Sequence, residues 1–325
     1  MARSLCNRPI PELQLSHFYR SLHGNYGPNV QTNACDVLIA VGMRFDDRVT
    51  GRLDKYAKQA KVVHLDIDPA EIDKNVKADV PVWGDCKETL PLLTALIEEK
   101  KHTEWLAEFR AFDKTEQEVV IHPELNPGAG ELTMGEVINQ LNILTKGEAV
   151  VVTDVGQHQM VACRYAKFNH TRSNVTSGGL GTMGFGLPAA IGAKFGAPDR
   201  TVVAVIGDGG FQMTCQELGT IMQSGVDVKI MILNNRFLGM VRQWQQLFHE
   251  KRYSFVDITS PDFVKLADSY YIAGKKVSER EDLVSSLEEM LNHKGSFLLE
   301  VMVAQEHNVF PMVPQGSSVS EIRLK

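Results

Sequence analysis

Short apolar runs recur along the chain, and each has the length of a single β-strand. The clearest lie at residues 36–41, 61–65, 149–153, 201–206, 228–233 and 297–303. Continuous apolar runs bounded by Gly or Asp are typical of parallel strands that are buried on both faces. Helical segments lie between several of them. The pattern therefore predicts an α/β fold with doubly wound parallel sheets and ligands at the carboxyl edge of a sheet.

Two helical segments begin with the Thr-x-x-Glu pattern of a capping box, from Thr133 to Glu136 and from Thr214 to Glu217. In a capping box the hydroxyl and the carboxylate bond to each other's free backbone amides. A third amphipathic segment, residues 282–291, precedes the last strand. We expect a helix at each of these places.

The composition changes between residues 98 and 130, where a charged helical stretch runs into the sequence HPELNPGAG. We interpret residues 99–130 as a linker between two α/β units. The first unit, residues 23–98, has only two strong strands and is predicted to be part of a domain. The second unit, residues 131–325, is predicted to be a complete domain.

The overall composition is that of a soluble globular protein, with 325 residues, 43% hydrophobic and 23% charged. The net charge of −6 comes without any concentration of Lys and Arg, which argues against a nucleic-acid partner. The five cysteines form no CxxC pair and fit a reducing compartment. The apolar runs are too short to cross a membrane, and the first residues lack the apolar core of a secretory signal. We expect a cytoplasmic protein.

The segment 202–240 carries the clearest candidate chemistry. One predicted strand ends just before Asp208, and the next ends just before Asn235. In a right-handed βαβ unit both strands point the same way, so these two side chains emerge at one edge of the sheet. Their side-chain oxygens suit Mg²⁺ that is shared with a diphosphate. A backbone carbonyl would supply a third protein ligand, and we predict that it is the carbonyl of Phe237. Gly209 and Gly210 would let a phosphate approach the backbone.

Each half of this motif has an ordinary alternative interpretation. Gly-Asp-Gly is a common tight turn, and Asn-Asn is a common loop opening. Together, with 24 residues between Gly209 and Asn234, they match the pattern that anchors thiamine diphosphate and Mg²⁺.

Several longer runs carry a resemblance to one family. They are HGNYGPNV at 23–30, LIAVGMRFDDRVTG at 38–51, HLDIDPAEIDKN at 64–75, TDVGQHQM at 153–160, SGGLGTMGFGLPAAIGA at 177–193 and GMVRQWQ at 239–245. With them the chain resembles the large, catalytic subunit of acetolactate synthase (acetohydroxyacid synthase). The resemblance implies thiamine diphosphate-dependent decarboxylation of pyruvate and carboligation to a second 2-ketoacid, pyruvate or 2-oxobutanoate. It also implies branched-chain amino acid biosynthesis, a homodimer or homotetramer, and a small regulatory subunit.

The resemblance also implies cofactor contacts. They come from Val155, Gly156, Gln157 and His158 at the diphosphate, from Gly181 and Met183 at the aminopyrimidine, and from Leu238, Gly239 and Met240 along the cofactor. The flexible thioether of Met183 suits an apolar wedge between two rings, although a Met in such a place is more often packing. Without the resemblance, His158 would as readily be an ordinary polar residue at a strand end.

Two further sets of residues rest mostly on the resemblance. Asp47, Arg48 and Trp244 are implied to line the substrate channel. The alternative for Asp47 and Arg48 is a surface ion pair. A lone tryptophan is usually part of a core, but the polar neighbours of Trp244 (Arg242, Gln243 and Gln245) favour an exposed, functional side chain. A structural FAD is implied in the first unit, with contacts from His23, Arg44, Asp66, Asp68 and Asp85. An acid after a strand suits ribose binding, but Asp66 and Asp68 could equally cap turns.

The family takes the carboxylate that activates the cofactor from an amino-terminal domain of a neighbouring subunit. No Glu of this chain lies in a matching motif, so no activating acid is named. Residues 1–22 depart from the family pattern, and we interpret them as an atypical leader of a truncated or frame-shifted product that is inactive alone. The alternatives are the cofactor-binding half of a split enzyme and a non-catalytic remnant.

Overall fold

The structure is a computed structural model, and it describes residues 23–325. The predicted leader, residues 1–22, lies outside the described residues. The chain forms two compact units, the first from residues up to 122 together with 310–325, and the second from 123–309. The last residues therefore pack with the first unit, although the predicted boundary placed them with the second. Val319 belongs to the apolar core of the first unit, which accounts for this.

The first unit contains a small parallel sheet of three strands in the order β1-β2-β3. Its strands are β1 (Val37–Val41), β2 (Lys61–Asp66) and β3 (Val80–Trp83). Its helices are α1 (Tyr26–Thr32), α2 (Asp47–Thr50), α3 (Cys86–Leu96) and α4 (Thr103–Glu116), and α5 (His122–Leu125) follows at the unit boundary. Helix α4 lies in the region predicted as a linker, and Phe112 on it packs edge-on against Tyr26 of α1.

The second unit contains a parallel sheet of six strands in the order β5-β4-β6-β7-β9-β8. The strands are β4 (Val150–Thr153), β5 (Asn174–Thr176), β6 (Val202–Gly207), β7 (Lys229–Asn234), β8 (Ala273–Val277) and β9 (Phe297–Met302). The helices are α6 (Met134–Thr145), α7 (Gln157–Tyr165), α8 (Gly186–Gly196), α9 (Asp208–Thr214), α10 (Leu218–Ser224), α11 (Gly239–Phe248), α12 (Phe263–Asp268) and α13 (Leu283–Asn292).

Helices cover both faces of this sheet. Apolar residues of α6, α7 and α13 pack on one face of the central strands, against side chains such as Val203 and Met231. Residues of α8, α10 and α12 pack on the other face, against side chains such as Ala204 and Ile230. Every residue of β6 and β7 is consequently buried. An α/β fold with parallel sheets is confirmed, and the six predicted strands are observed within one residue at either end. None of the helices in residues 23–325 is long and apolar enough to cross a membrane.

The two predicted capping boxes differ. Thr133 caps α6, since its hydroxyl accepts a hydrogen bond from the Glu136 amide at 3.0 Å, while the Glu136 carboxylate pairs with Arg280. At Thr214 the predicted capping box is wrong, although a helical turn does follow at Cys215–Glu217 and leads into α10. Thr214 is the last residue of α9, and its hydroxyl donates to the Gly184 carbonyl at 3.0 Å. A chain contact distant in sequence therefore takes the hydroxyl that the local pattern assigned to a cap.

Candidate functional site

The candidate site lies at the carboxyl edge of the six-stranded sheet. Helix α7 follows β4, α9 follows β6, and a turn at Asn235 follows β7. Gly207 is paired with Leu233 in the parallel register of β6 and β7, so Asp208 and Asn235 both leave the sheet at this edge. The parallel register thus brings together the ends of three strands that are far apart in the sequence.

Asp208 is the first residue of α9, and only 1% of it is exposed. Burial raises the pKa of its carboxyl to about 7, because a carboxylate loses its hydration there. The Ser260 hydroxyl lies 3.4 Å from Oδ2 and is a weak partner at that distance. Burial removes the water that would otherwise stabilise the negative charge. A divalent cation bound at this carboxylate would compensate that charge in its place.

The side chain of Asn235 is held in one orientation. Its Nδ2 donates to Gln157 Oε1 at 3.3 Å, and its Oδ1 accepts from the Phe237 amide at 3.1 Å. Gln157 is fixed in turn, since its Nε2 donates to Gln243 Oε1 and to the His307 carbonyl, each at 2.9 Å. An amide oxygen accepts two hydrogen bonds or ligand contacts, so Asn235 Oδ1 has capacity for a metal ion.

The backbone after Asn235 is equally constrained. Arg236 has a φ of 57°, and its amide donates to the Asn234 side chain at 3.0 Å. The Leu238 amide donates to the Val256 carbonyl at 2.8 Å, which forms a short antiparallel bridge with the chain around Asp257. These bonds fix the direction of the backbone at Phe237, whose carbonyl is the third predicted metal ligand.

Glycines line the interior of the site because side chains crowd it. A Cβ at Gly209 would lie 2.7 Å from Ile258 Cδ1 and 3.1 Å from Leu238 Cδ2, with Met183 Cε at 4.0 Å. The predicted residues Gly209, Leu238 and Met183 are therefore neighbours. A Cβ at Gly239 would lie 2.2 Å from Gln157 Oε1, so this start of α11 also requires glycine.

His158 lies on the first turn of α7 and is buried, with its ring against Gly207 and Gly156. Within residues 23–325, its Nε2 is a buried polar atom that has no hydrogen-bond partner. Burial lowers the pKa of the imidazole to about 4, so the ring is neutral at pH 7. A buried, unsatisfied ring nitrogen costs free energy unless a ligand bonds to it, which fits the predicted role at the diphosphate.

The remaining predicted cofactor residues lie around this core. Val155 and Gly156 form the half-buried turn between β4 and α7, Gly210 is on α9, and Met240 is the second residue of α11. Gly181 is exposed and has a φ of 64°, in the region that favours glycine.

The carboxylate of Asp208, the amide oxygen of Asn235 and the carbonyl of Phe237 are the hard-oxygen ligands predicted for Mg²⁺, and such oxygens are what this ion prefers. The described part of the chain contains no cluster of three His, Cys, Asp or Glu residues arranged for a metal ion. Three oxygen ligands from the protein would leave positions on an octahedral ion for diphosphate oxygens and water, so the residues present fit Mg²⁺ with thiamine diphosphate.

Helix α11 departs in part from expectation. Trp244 is half-buried and its ring is tilted against Phe248 at 4.9 Å, whereas the sequence suggested an exposed tryptophan between polar neighbours. Arg242 and Gln243 are fully buried. Arg242 donates to the His307 carbonyl and to Asn308 Oδ1, so these polar residues hold the segment before Phe310.

In the first unit, the predicted FAD and channel residues other than His23 lie at or after the carboxyl ends of the three strands. Asp66 Oδ1 accepts from the Asp68 amide, and Asp68 Oδ1 accepts from the Ala70 amide, each at 2.9 Å. Both acids therefore cap turns, which is the alternative that the sequence left open. Asp85 likewise caps α3.

The other first-unit residues are at the surface or close to it. Arg44 pairs with Asp46 at 2.9 Å, while Asp47 and Arg48 are exposed on α2, and His23 is half-buried. The sequence left open a surface ion pair of Asp47 with Arg48, but the ion pair that the structure describes here joins Arg44 to Asp46.

Sequence reasoning gave no role to Asp154, Gln243 or Glu300. Asp154 is fully buried at the end of β4, and Glu300 accepts from Asn234 Nδ2 at 2.7 Å. The available signal was position, since Asp154 follows β4 as Asp208 follows β6. Gln243 and Glu300 act through contacts 66 or more residues away in sequence, which no local motif shows.

Models of known protein families match both units of the chain. A family model for the C-terminal TPP binding domain of thiamine pyrophosphate (thiamine diphosphate) enzymes matches residues 154–301. A second model, for the central domain of the same enzymes, matches residues 12–93. The chain therefore belongs to the thiamine pyrophosphate enzyme family.

Within that family, the chain is similar to acetolactate synthases, several of them named as large subunits. The isozyme 2 large subunit of Escherichia coli (strain K12) is 42% identical over 302 residues, which cover 93% of this chain and 54% of the relative. The large subunit of Cyanidium caldarium is 42% identical over 93% of this chain and 52% of its own length. Acetolactate synthase 1, chloroplastic, of Nicotiana tabacum is 41% identical over 96% of this chain and 48% of its own length. The resemblance noted in the sequence is confirmed, and the chain spans about half the length of these relatives.

Proposed function

We propose that the second unit binds thiamine diphosphate through Mg²⁺ and serves the acetolactate synthase reaction. That reaction decarboxylates pyruvate and joins the product to a second 2-ketoacid, pyruvate or 2-oxobutanoate. The observation that carries the proposal is the buried Asp208, with its raised pKa, at the same sheet edge as the fixed amide of Asn235, within the matched region.

In this proposal each part of the site has a task. Asp208, Asn235 and the Phe237 carbonyl hold Mg²⁺, and His158 Nε2 bonds to the diphosphate. Gln157 orients Asn235, because its side-chain oxygen and nitrogen are both engaged inside the protein. Met183 and Leu238, which both lie near Gly209, support the rings of the cofactor.

The bound cofactor supplies the carbanion chemistry. The chain's own residues bind and orient it, and the packed walls of the site exclude water. No residue of the described chain is assigned as the acid that activates the aminopyrimidine.

The remaining features of the proposal come from the family. The first unit would bind a structural FAD through His23, Arg44, Asp66, Asp68 and Asp85. Asp47, Arg48 and Trp244 would line the substrate channel. We further propose a homodimer or homotetramer in the cytoplasm, with a small regulatory subunit. Support for the FAD site is the position of its acids after β2 and β3, although their carboxylates already cap turns.

The test of function is a mixing experiment. The purified chain is assayed for pyruvate decarboxylation and acetolactate formation, alone and with a separately expressed amino-terminal domain of a relative. We expect little activity alone and a gain on mixing that requires thiamine diphosphate and Mg²⁺ and is lost in Asp208→Ala. A mixture that binds the cofactor without turnover would favour the non-catalytic alternative and contradict the proposed reaction.

A further inference from the structure

Asp154 is a buried carboxylate that accepts hydrogen bonds from three backbone amides. It is the first residue after β4 and has no exposed surface. Its Oδ1 accepts from the Val155 amide at 2.8 Å and from the Gly184 amide at 3.1 Å, and its Oδ2 accepts from the Gly186 amide at 2.7 Å. Hydrogen bonds to an ionised acceptor are about twice as strong as those between neutral groups.

Two of these donors belong to one segment, residues 177–186, which we call the glycine-rich segment. It leaves the sheet after β5 and enters α8 at Gly186. Its middle is exposed, with 93% of Leu180 accessible. Asp154 therefore ties the end of this segment to the sheet, some 30 residues away in sequence.

The same carboxylate also lies against the start of α9. A Cβ at Gly210 would lie 2.4 Å from Asp154 Oδ1, and a Cβ at Gly186 would lie 2.9 Å from Asp154 Cβ. Two glycines thus permit two chain segments to approach one side chain. Gly210 is two residues from Asp208, so Asp154 touches both the metal side of the site and the segment that carries Gly181 and Met183.

We propose that Asp154 is a positioning residue that holds the glycine-rich segment in the conformation that receives the aminopyrimidine end of the cofactor. The inference rests on the proposed binding of thiamine diphosphate, but its first half concerns the chain alone. Without the carboxylate, the Gly184 and Gly186 amides lose their common acceptor. The backbone around Met183 is then free to move while the metal ligands stay in place.

The variant that tests this is Asp154→Asn, which keeps the shape of the side chain and replaces one acceptor oxygen by an NH₂ group. The NH₂ group of the new side chain would face at least one backbone N–H, and it cannot accept a hydrogen bond from it. Hydrogen exchange is measured by mass spectrometry on the protein without ligand. Because the loss of a charge-assisted hydrogen bond changes a local opening equilibrium by about tenfold or more, we expect peptides from residues 177–186 to exchange about tenfold faster.

The matched control is Asp199→Asn, an exposed acid in the same unit. It should leave the exchange of every peptide unchanged. Unchanged exchange of residues 177–186 in Asp154→Asn would overturn the inference. So would an equal increase in β6 and β7, or failure to fold, because either would assign Asp154 to general stability.

A second measurement separates the two ends of the cofactor. Calorimetry with Mg²⁺ compares thiamine diphosphate with inorganic diphosphate, which lacks the rings. We expect Asp154→Asn to bind thiamine diphosphate about tenfold more weakly and inorganic diphosphate within about twofold of the original chain. Equal losses for both ligands, or no loss for either, would contradict the positioning role. If the unaltered chain itself binds no thiamine diphosphate, the proposed function fails, and the exchange experiment still decides whether Asp154 holds the segment.

Discussion

The two parallel sheets of this chain differ in how completely they are covered. In the six-stranded sheet of the second unit, β6 and β7 are buried on both faces between two apolar clusters. In the three-stranded sheet of the first unit, Leu38 and Ala40 of β1 are buried, but Val37 and Ile39 are 47% and 49% exposed. Parallel sheets in stable domains are normally covered on both sides. Among the described residues, one face of the first sheet is covered and the other only in part, since Leu65 of β2 is buried while Val37 and Ile39 are exposed.

The same contrast separates the polar residues at the strand ends. After β4, β6 and β7, polar groups are buried, and one of them, His158 Nε2 after β4, lacks a partner in the described structure. After β2, Asp66 and Asp68 cap turns within the unit itself. Buried polar groups that remain unsatisfied point to a ligand, whereas satisfied ones are explained by folding alone. Among the strand ends, the second unit is therefore where the structure itself supports a cofactor. Within β2, His64 Nδ1 of the first unit also lacks a partner among the described residues.

The largest expected effect is a loss of stability when a core side chain of the six-stranded sheet is shortened. A matched substitution in the three-stranded sheet provides the comparison. Ile230→Ala removes a side chain that is fully buried in β7, and we expect a loss of about 2–5 kcal/mol in the free energy of unfolding. Ile39→Ala, on the open face of β1, should cost less than about 1 kcal/mol. Urea unfolding followed by circular dichroism measures both. Equal losses would show that a partner also covers the face of β1.

The next largest effect is the pH dependence of stability that comes from Glu124. Burial raises the pKa of its carboxyl to about 7, and its Oε1 accepts from the Gly135 amide. The folded chain thus holds a proton that the unfolded chain releases near pH 4.5. This contribution to stability is complete below about pH 4.5 and is lost as the pH rises through 7.

The variant Glu124→Gln keeps an acceptor for Gly135 but cannot titrate. Compared with the original chain, its free energy of unfolding should gain about 1–3 kcal/mol between pH 5 and pH 8. The exposed Glu131→Gln is the control and should show no such relative gain. Glu124 Oε2 also lies 3.2 Å from His307 Nε2, and burial lowers the pKa of that imidazole. A Glu124→Gln profile parallel to that of the original chain would show that Glu124 is ionised throughout.

Thr133 gives a smaller effect at the start of α6. Thr133→Ala removes the cap on the Glu136 amide and the hydrogen bond that the hydroxyl donates to the Glu124 carbonyl, so we expect a loss of about 1 kcal/mol. Thr115→Ala on the exposed side of α4 is the control, and alanine's helix propensity makes it neutral or slightly stabilising. A neutral Thr133→Ala would show that the cap does not set the start of α6.

The smallest effect is expected at the surface ion pair of Arg44 and Asp46. Nearly half of the Arg44 side chain is exposed, and exposed pairs contribute little. Arg44→Gln should change the free energy of unfolding by less than about 0.5 kcal/mol. A larger loss, measured by urea unfolding, would mean that this part of the first unit is more tightly packed than its exposure indicates.

The apolar pattern predicted the central strands well because both faces of β4, β6, β7 and β9 are buried. It missed β3, β5 and β8, which are short or polar and lie at sheet edges. The run AGKKV of β8 has no continuous apolar stretch, so only its pairing with β9 makes it a strand. The failed cap at Thr214 has a similar cause, since its hydroxyl is bound by a distant carbonyl.

Within the candidate site, strand ends could be predicted but side-chain networks could not. Asp208 and Asn235 follow buried strands, and that position alone marks them. The orientation of Asn235 depends on Gln157, which depends on Gln243 in a helix 86 residues away. Such a chain of amides forms only after the sheet and α11 have packed, so no local pattern contains it.

The central claim is that Asp208 of the second unit anchors thiamine diphosphate through Mg²⁺, and one calorimetric titration tests it directly. Thiamine diphosphate is added with and without Mg²⁺ to the original chain, to Asp208→Asn, and to Asp68→Asn of the first unit as a matched control. We predict Mg²⁺-dependent binding to the original chain and to Asp68→Asn, and affinity weakened by about a hundredfold or more in Asp208→Asn. Equal affinity of Asp208→Asn and the original chain would contradict the claim.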